Sequence, residues 1–179
     1  MNDIKLFDAA GDGDEALVSQ LIEQGGYEVD WTLVGTTALH MAAKYGHPRV
    51  VTMLLHAGWS LEWRDRAGHK PLDYAAESGN RETVKTFLLQ GAKIDTHTSN
   101  KQTSLYYASR EGKSSSVKIL LQSGADHQIR NSSGKTAEDE AKDEETRAVF
   151  REFNEKGLKT KNELFDRAVE EEEYKLDSH

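Results

Sequence analysis

Apolar residues recur along this chain in short helical patterns, each closed by glycine. The clearest stretch runs from Gly35 to Glu62, GTTALHMAAKYGHPRVVTMLLHAGWSLE. Leu39, Ala42 and Ala43 share one helical face, Gly46 interrupts, and Val50, Val51, Leu54 and Leu55 resume the pattern until Gly58. Thr37 stands where a helix N-cap belongs, and Pro48 opens the second helix, where a missing N–H costs nothing. Gly46 and Gly58 follow the helices at positions suited to a left-handed residue. The predicted unit is a helix, a tight turn, a second helix and a return loop.

One such pair cannot bury its apolar stripe alone, and sequence copies supply its neighbours. Gly46, Gly79 and Gly112 lie 33 residues apart, as do Gly58, Gly91 and Gly124, and Gly35, Gly68, Lys101 and Gly134. Leu54-Leu55 is answered by Leu88-Leu89 and Leu120-Leu121, and Ala42-Ala43 by Ala75-Ala76 and Ala108-Ser109. Self-similarity at this period predicts a stacked solenoid. The phrase from Thr37 to Ala43 with Gly46-His47, Leu54-Leu55 and Gly58 resembles the ankyrin repeat. So do Pro71-Leu-Asp-Tyr-Ala-Ala with Leu88-Leu-Gln-Gly-Ala, and Ile119-Leu-Leu-Gln-Ser-Gly-Ala-Asp. The resemblance covers roughly residues 2–157. It implies an all-α ankyrin solenoid of helix-turn-helix units joined by β-hairpin-like loops, used as a binding surface.

The expected repeats are 2–31, 32–64, 65–97, 98–130 and 131–163, with residues 1–157 as the ankyrin domain and 158–179 as an acidic helical extension. The first repeat lacks its opening turn, and its Lys5, Asp8, Asp12 and Asp14 suit a polar cap. Val29 comes one residue late and the next loop is one residue short, so the first finger should be distorted. In the second repeat the resemblance makes Thr37 and His40 loop-tying residues. In the third, Lys70 and Asp73 stand in their places, a cation and a carboxylate expected to replace those bonds. The fourth puts Lys101 where a turn glycine belongs, at a cost of about 1 kcal/mol, and should be the softest. The fifth keeps Gly134, Thr136, Ala141, Phe150 and Phe153 but turns charged at Glu138 and Lys142, as a terminal cap should. A further helix is expected over 162–176, from Leu164, Phe165, Ala168 and Val169.

Composition narrows the chemistry. The chain has no cysteine, which removes disulfides, thiolate nucleophiles and Cys zinc sites and fits a reducing compartment, cytoplasm or nucleus. The longest apolar run is a few residues, so no membrane span is expected, and the first residues show no secretory signal. Of the net charge of −8, residues 138–177 carry 15 acidic against 8 basic residues, and the rest is nearly neutral. No phosphate loop, zinc motif, calcium loop or nucleophile elbow is present. The expectation is a non-enzyme with no cofactor, no metal and no small-molecule substrate. Ser114-Ser115-Ser116 reads as a polar turn ahead of a helix.

The resemblance places partner contacts beside the turn glycines and at the ends of the first helices. Here those positions hold Trp31, Leu33, Val34, Thr36, Lys44, Tyr45, Arg64, Arg66, His69, Glu77, Ser78, His97, Asn100, Gln102, Arg110, Glu111 and Arg130. Trp31, Leu33, Val34, Tyr45 and Trp63 put apolar and aromatic groups where packing does not require them, the composition of interface hot spots. The alternative is that these rings cover a distorted first finger. Arg64, Arg66, Arg110 and Arg130 lie on or beside the fingers, so a partner joining an apolar anchor to carboxylates should fit. Trp59 replaces a small residue after Gly58 and should either over-fill a loop contact or sit exposed. The expected function is protein binding by a monomeric scaffold or adaptor through the concave face, centred on repeats two and three. The alternatives are a regulatory or inhibitory subunit or assembly chaperone, and, further off, a nucleic-acid binder using the finger arginines.

Overall fold

The computed structural model describes residues 2–29 and 31–156; the helix expected over 162–176 and the extension 158–179 lie outside them. Helices pair along the chain: α1 (Asn2–Asp12) with α2 (Glu15–Gln24), α3 (Ala38–Tyr45) with α4 (Pro48–His56), α5 (Pro71–Ser78) with α6 (Arg81–Leu89), and α7 (Ser104–Arg110) with α8 (Ser114–Gln122). α9 (Glu144–Lys156) closes the series. α1, α3, α5 and α7 stack in order as an inner layer, and α2, α4, α6, α8 and α9 as an outer one. This is an all-α ankyrin solenoid, and among the described residues strand pairing is limited to the isolated bridges Leu33–Thr36 and His97–Thr103. No helix among the described residues is long and apolar enough to cross a membrane.

The helix boundaries follow from local chemistry. Thr37, Asn80 and Thr103 accept at their side chains from backbone N–H groups in the first turns of α3, α6 and α7, and Pro48 and Pro71 open α4 and α5. Gly46 ends α3 with φ 78° and ψ 46°, a conformation that costs a side-chain-bearing residue about 1 kcal/mol. The alanine pairs Ala9-Ala10, Ala42-Ala43 and Ala75-Ala76 are buried in the inner helices, where small side chains let the helices approach closely. Ser109 replaces an alanine in this row and donates its hydroxyl to the Ala137 carbonyl. Leu39, Val50, Leu54, Leu72, Val84, Phe87, Leu120 and Phe150 are fully buried between the layers; truncating one to alanine costs roughly 2–5 kcal/mol.

The fifth unit has no inner helix. Thr136 and Asp139 bond each other's backbone N–H groups reciprocally, which starts a turn. The Lys142 N–H then donates to the Ser109 carbonyl, and Asp143 caps the first turn of α9 through Thr146. With the next cap arriving this early, the segment makes turns only. Ala137 and Ala141 are nonetheless buried, so the last unit among the described residues is a bent segment and one outer helix.

A polar seam runs between the loops and the inner helices. The His40 ring accepts at Nδ1 from the Thr37 N–H (3.2 Å), and its Nε2 lies 3.3 Å from the His69 carbonyl, tying two repeats together. Burial lowers its pKa to about 4, so it is neutral. In the next repeat Asp73 takes the histidine's role, accepting from the Lys70 N–H (2.8 Å) and from the Ser104 hydroxyl. Burial pushes the Asp73 carboxyl up and the Lys70 ammonium down. The Lys70–Asp73 pair thus replaces the Thr37–His40 bond through the Lys70 backbone N–H, and the Lys70 ammonium goes elsewhere. It is fully buried and reaches the Lys93 carbonyl (2.9 Å) and Glu62 (3.4 Å).

Candidate functional site

The return loops form fingers along one edge of the stack. Those after Asp65, Thr98 and Asn131 are three-residue loops: each of these residues' N–H bonds the carbonyl four residues on (His69, Gln102, Lys135). A left-handed residue stands three positions on, Gly68, Lys101 or Gly134. Lys101 adopts φ 56° there, as its place in the repeat requires. The first finger differs. Leu33 and Thr36 exchange both backbone bonds (2.9 and 3.1 Å), leaving a two-residue turn with Val34 at φ 57° and Gly35 at φ 93°. The missing residue thus forces a β-branched side chain into a left-handed conformation, a strain of about 1–2 kcal/mol.

The exposed large apolar side chains among the described residues are Ile4, Val29, Leu33, Val34, Tyr45 and Trp63, all in the first two repeats. Val34 is 69% exposed at the tip of the first finger. Tyr45 ends α3 with the Lys44 ammonium 5.5 Å from its ring centre, and Trp63 leads into the second finger. Trp31 departs from this group. It is half-buried and packs edge-on against Phe7, ring centres 6.2 Å apart, so it braces the short finger. Trp59 is buried and stacks on Tyr27 at 5.0 Å, with no hydrogen-bond partner for its indole N–H.

The finger arginines are committed to the fold. Arg64 donates to the Gly68 carbonyl (2.8 Å) and the His97 carbonyl (3.1 Å), clamping its own turn to the next finger. Arg130 repeats the clamp on the Gly134 carbonyl (2.7 Å) and lies near Asp139. Arg110 is held by Glu111 (3.0 Å) and Glu77 (3.4 Å). Arg66 is exposed and lies along Gly35, whose absent Cβ would come 2.8 Å from its Cγ. His97 is exposed, with Nδ1 near the Thr98 carbonyl. Arg64 and Arg130 thus brace the fingers while their side chains stay exposed, and Arg110 is paired with two carboxylates.

Between the second and third fingers and helices α5 and α7 lies a slot of about 310 Å³. Its walls are repeat-equivalent pairs: Ala67 and Asn100, His69 and Gln102, Tyr74 and Tyr107, Glu77 and Arg110, with Thr98. It thus brings together five of the expected contact residues, His69, Glu77, Asn100, Gln102 and Arg110. Leu33, Val34, Tyr45 and Trp63 do not line it. Asp65 anchors one side by accepting from Tyr74 Oη (2.8 Å), His69 Nδ1 (3.1 Å) and the Ala67 and His69 N–H groups. Burial works against its charge, but the bonds from Tyr74 and His69 hold its carboxyl below the ordinary range. Burial and the Asp65 carboxylate together raise Tyr74, and burial raises Tyr107. Tyr107 donates to Gln102 Oε1 (2.9 Å), while Arg110 lies 5.4 Å over the Tyr107 ring. The two tyrosines escaped the sequence reading. Their signal was present: Met41, Tyr74 and Tyr107 share one position in successive repeats.

No group of three or more metal-ligating side chains occurs among the described residues. Comparison with curated proteins finds no match. A family model described as ankyrin repeats, in three copies, matches residues 6–98, and one described as ankyrin repeat matches residues 100–132. Helix pairs stacked in two layers, loop fingers at the repeat period and a match over more than half its length agree: the chain belongs to the ankyrin repeat family.

Proposed function

We propose that this chain is a non-catalytic protein-binding module whose partner lies along the concave face, across the fingers and inner helices of repeats two and three. The domain that binds is taken as residues 1–157, with 158–179 as an appendage. Ankyrin repeats are generally protein–protein interaction modules. The observation that carries the reading here is that the exposed large apolar side chains among the described residues lie in the first two repeats, Leu33, Val34, Tyr45 and Trp63 in the second. Tyr45 and Trp63 are aromatic and partly open to water, features typical of residues that supply most of an interface's energy. Absence of cysteine fits work in a reducing compartment, cytoplasm or nucleus.

The test is affinity capture from cell extract with the full chain, beside Tyr45→Ala/Trp63→Ala. The reading expects capture of a protein partner that the double variant loses while keeping its helical circular dichroism. Equal capture by both chains would overturn it, as would a loss of helicity that parallels the loss of capture.

A further inference from the structure

The slot between the second and third fingers has a charge preference opposite to that suggested by the arginines on those fingers. Arg110 is its guanidinium, and Glu77 and Glu111 already hold it. Asp65 adds a third carboxylate beneath the wall; its bonds from Tyr74 and His69 satisfy its oxygens without cancelling its charge. The buried Lys70 lends no surplus, being paired with Glu62. An entering carboxylate would find Arg110, the one guanidinium among the lining side chains, already engaged by two carboxylates. An entering cation would meet Glu77, whose bond to Arg110 is long (3.4 Å) with both side chains about two-fifths exposed. It would also meet two tyrosine rings, and Arg110 over Tyr107 shows that a guanidinium fits against such a ring here.

We propose that this slot receives a lysine or arginine side chain of the protein partner, with Glu77 as its counter-charge and Tyr74 and Tyr107 as its walls. The inference rests on the protein-binding reading above and adds the partner's chemistry at one position. Arg110 then acts as a displaceable gate: it occupies Glu77 until the guest cation arrives and falls back on Glu111.

The gate gives two variants of opposite sign. A random dodecapeptide library is selected on the immobilised full chain, and recovered peptides are measured on Glu77→Gln and Arg110→Gln. The expected result is a lysine or arginine enriched at one fixed place in the recovered peptides. Affinity should fall at least about tenfold on Glu77→Gln and hold or rise on Arg110→Gln. Peptides with an acidic anchor that lose affinity on Arg110→Gln would overturn the slot's preference while leaving concave-face binding intact. Basic peptides indifferent to Glu77→Gln would also overturn it. Recovery of the same peptides on Tyr45→Ala/Trp63→Ala with undiminished affinity and no response to either slot variant would remove both readings.

Discussion

The first finger and the slot two repeats away look alike in sequence, each a cluster of residues that packing does not demand, and they are built in opposite ways. At the first finger the apolar groups are uncommitted: Leu33 and Val34 project from a strained two-residue turn, with Tyr45 and Trp63 also exposed. Around the slot the polar groups are committed: Arg64 and Arg110 are bonded within the fold, and Asp65 accepts from both tyrosine and histidine. The lesson is that exposure alone does not mark a contact residue. A group that already satisfies a turn or a neighbouring finger contributes stability, and one that satisfies nothing is available to a partner. Substitutions at the exposed apolar residues and at the clamp Arg64 should therefore divide between binding and folding, while the long Glu77–Arg110 pair is weak enough to serve a partner as well.

The largest expected effect is on binding. Each of Tyr45 and Trp63 as a hot spot is worth about 2 kcal/mol, so the double alanine variant should lose about a thousandfold in partner affinity. Its denaturation midpoint should stay within error; a matching loss of stability would make these rings part of the fold and erase the comparison. Next comes the committed His40. Its folded pKa is lowered from 6.5 to about 4, so the unfolded chain takes the proton first as pH falls. Its contribution is intact above about pH 6.5 and is lost progressively towards pH 4, a decline of about 3 kcal/mol. Asp73, raised by burial, works the other way by favouring the fold as acid protonates it. Urea denaturation across this range should show a slope that His40→Gln flattens; an unchanged slope would assign it elsewhere.

Removing a finger clamp is a smaller step. Arg64→Ala should cost about 1 kcal/mol of stability and little partner affinity. A loss of binding without a loss of stability would return Arg64 to the contact surface. Smallest are the two left-handed misfits. Lys101→Gly should raise stability by about 1 kcal/mol. Val34→Gly should relieve similar strain but weaken binding, since Val34 belongs to the uncommitted class. Thermal melts with partner titration would read both effects.

Much of the fold was legible because its rules are local. Thr37, Pro48, Gly46 and the paired alanines announce helix starts, stops and close approaches at a fixed period. Even the short first finger and the misfit at Lys101 could be read by counting residues. The fifth unit's missing helix could not, because it depends on Asp143 capping the next helix and on Lys142 reaching Ser109 across the stack. The arginines' second role, as clamps within the fold, was hidden for a related reason. Charge is visible in a sequence, but a bond from Arg64 to the carbonyl of His97 depends on the stacking of two fingers. The position shared by Arg64 and Arg130, each four residues before its turn glycine, was the available clue. The same holds for Lys70, whose ammonium reaches the Lys93 carbonyl in the following loop.

Location of the interface is the central claim, and hydrogen exchange of the full chain with and without its captured partner tests it most directly. The account predicts new protection at residues 32–36, at the end of α3 around Tyr45, and over residues 63–69. Protection confined to the outer helices α4, α6 and α8, with the fingers exchanging as freely as before, would contradict it.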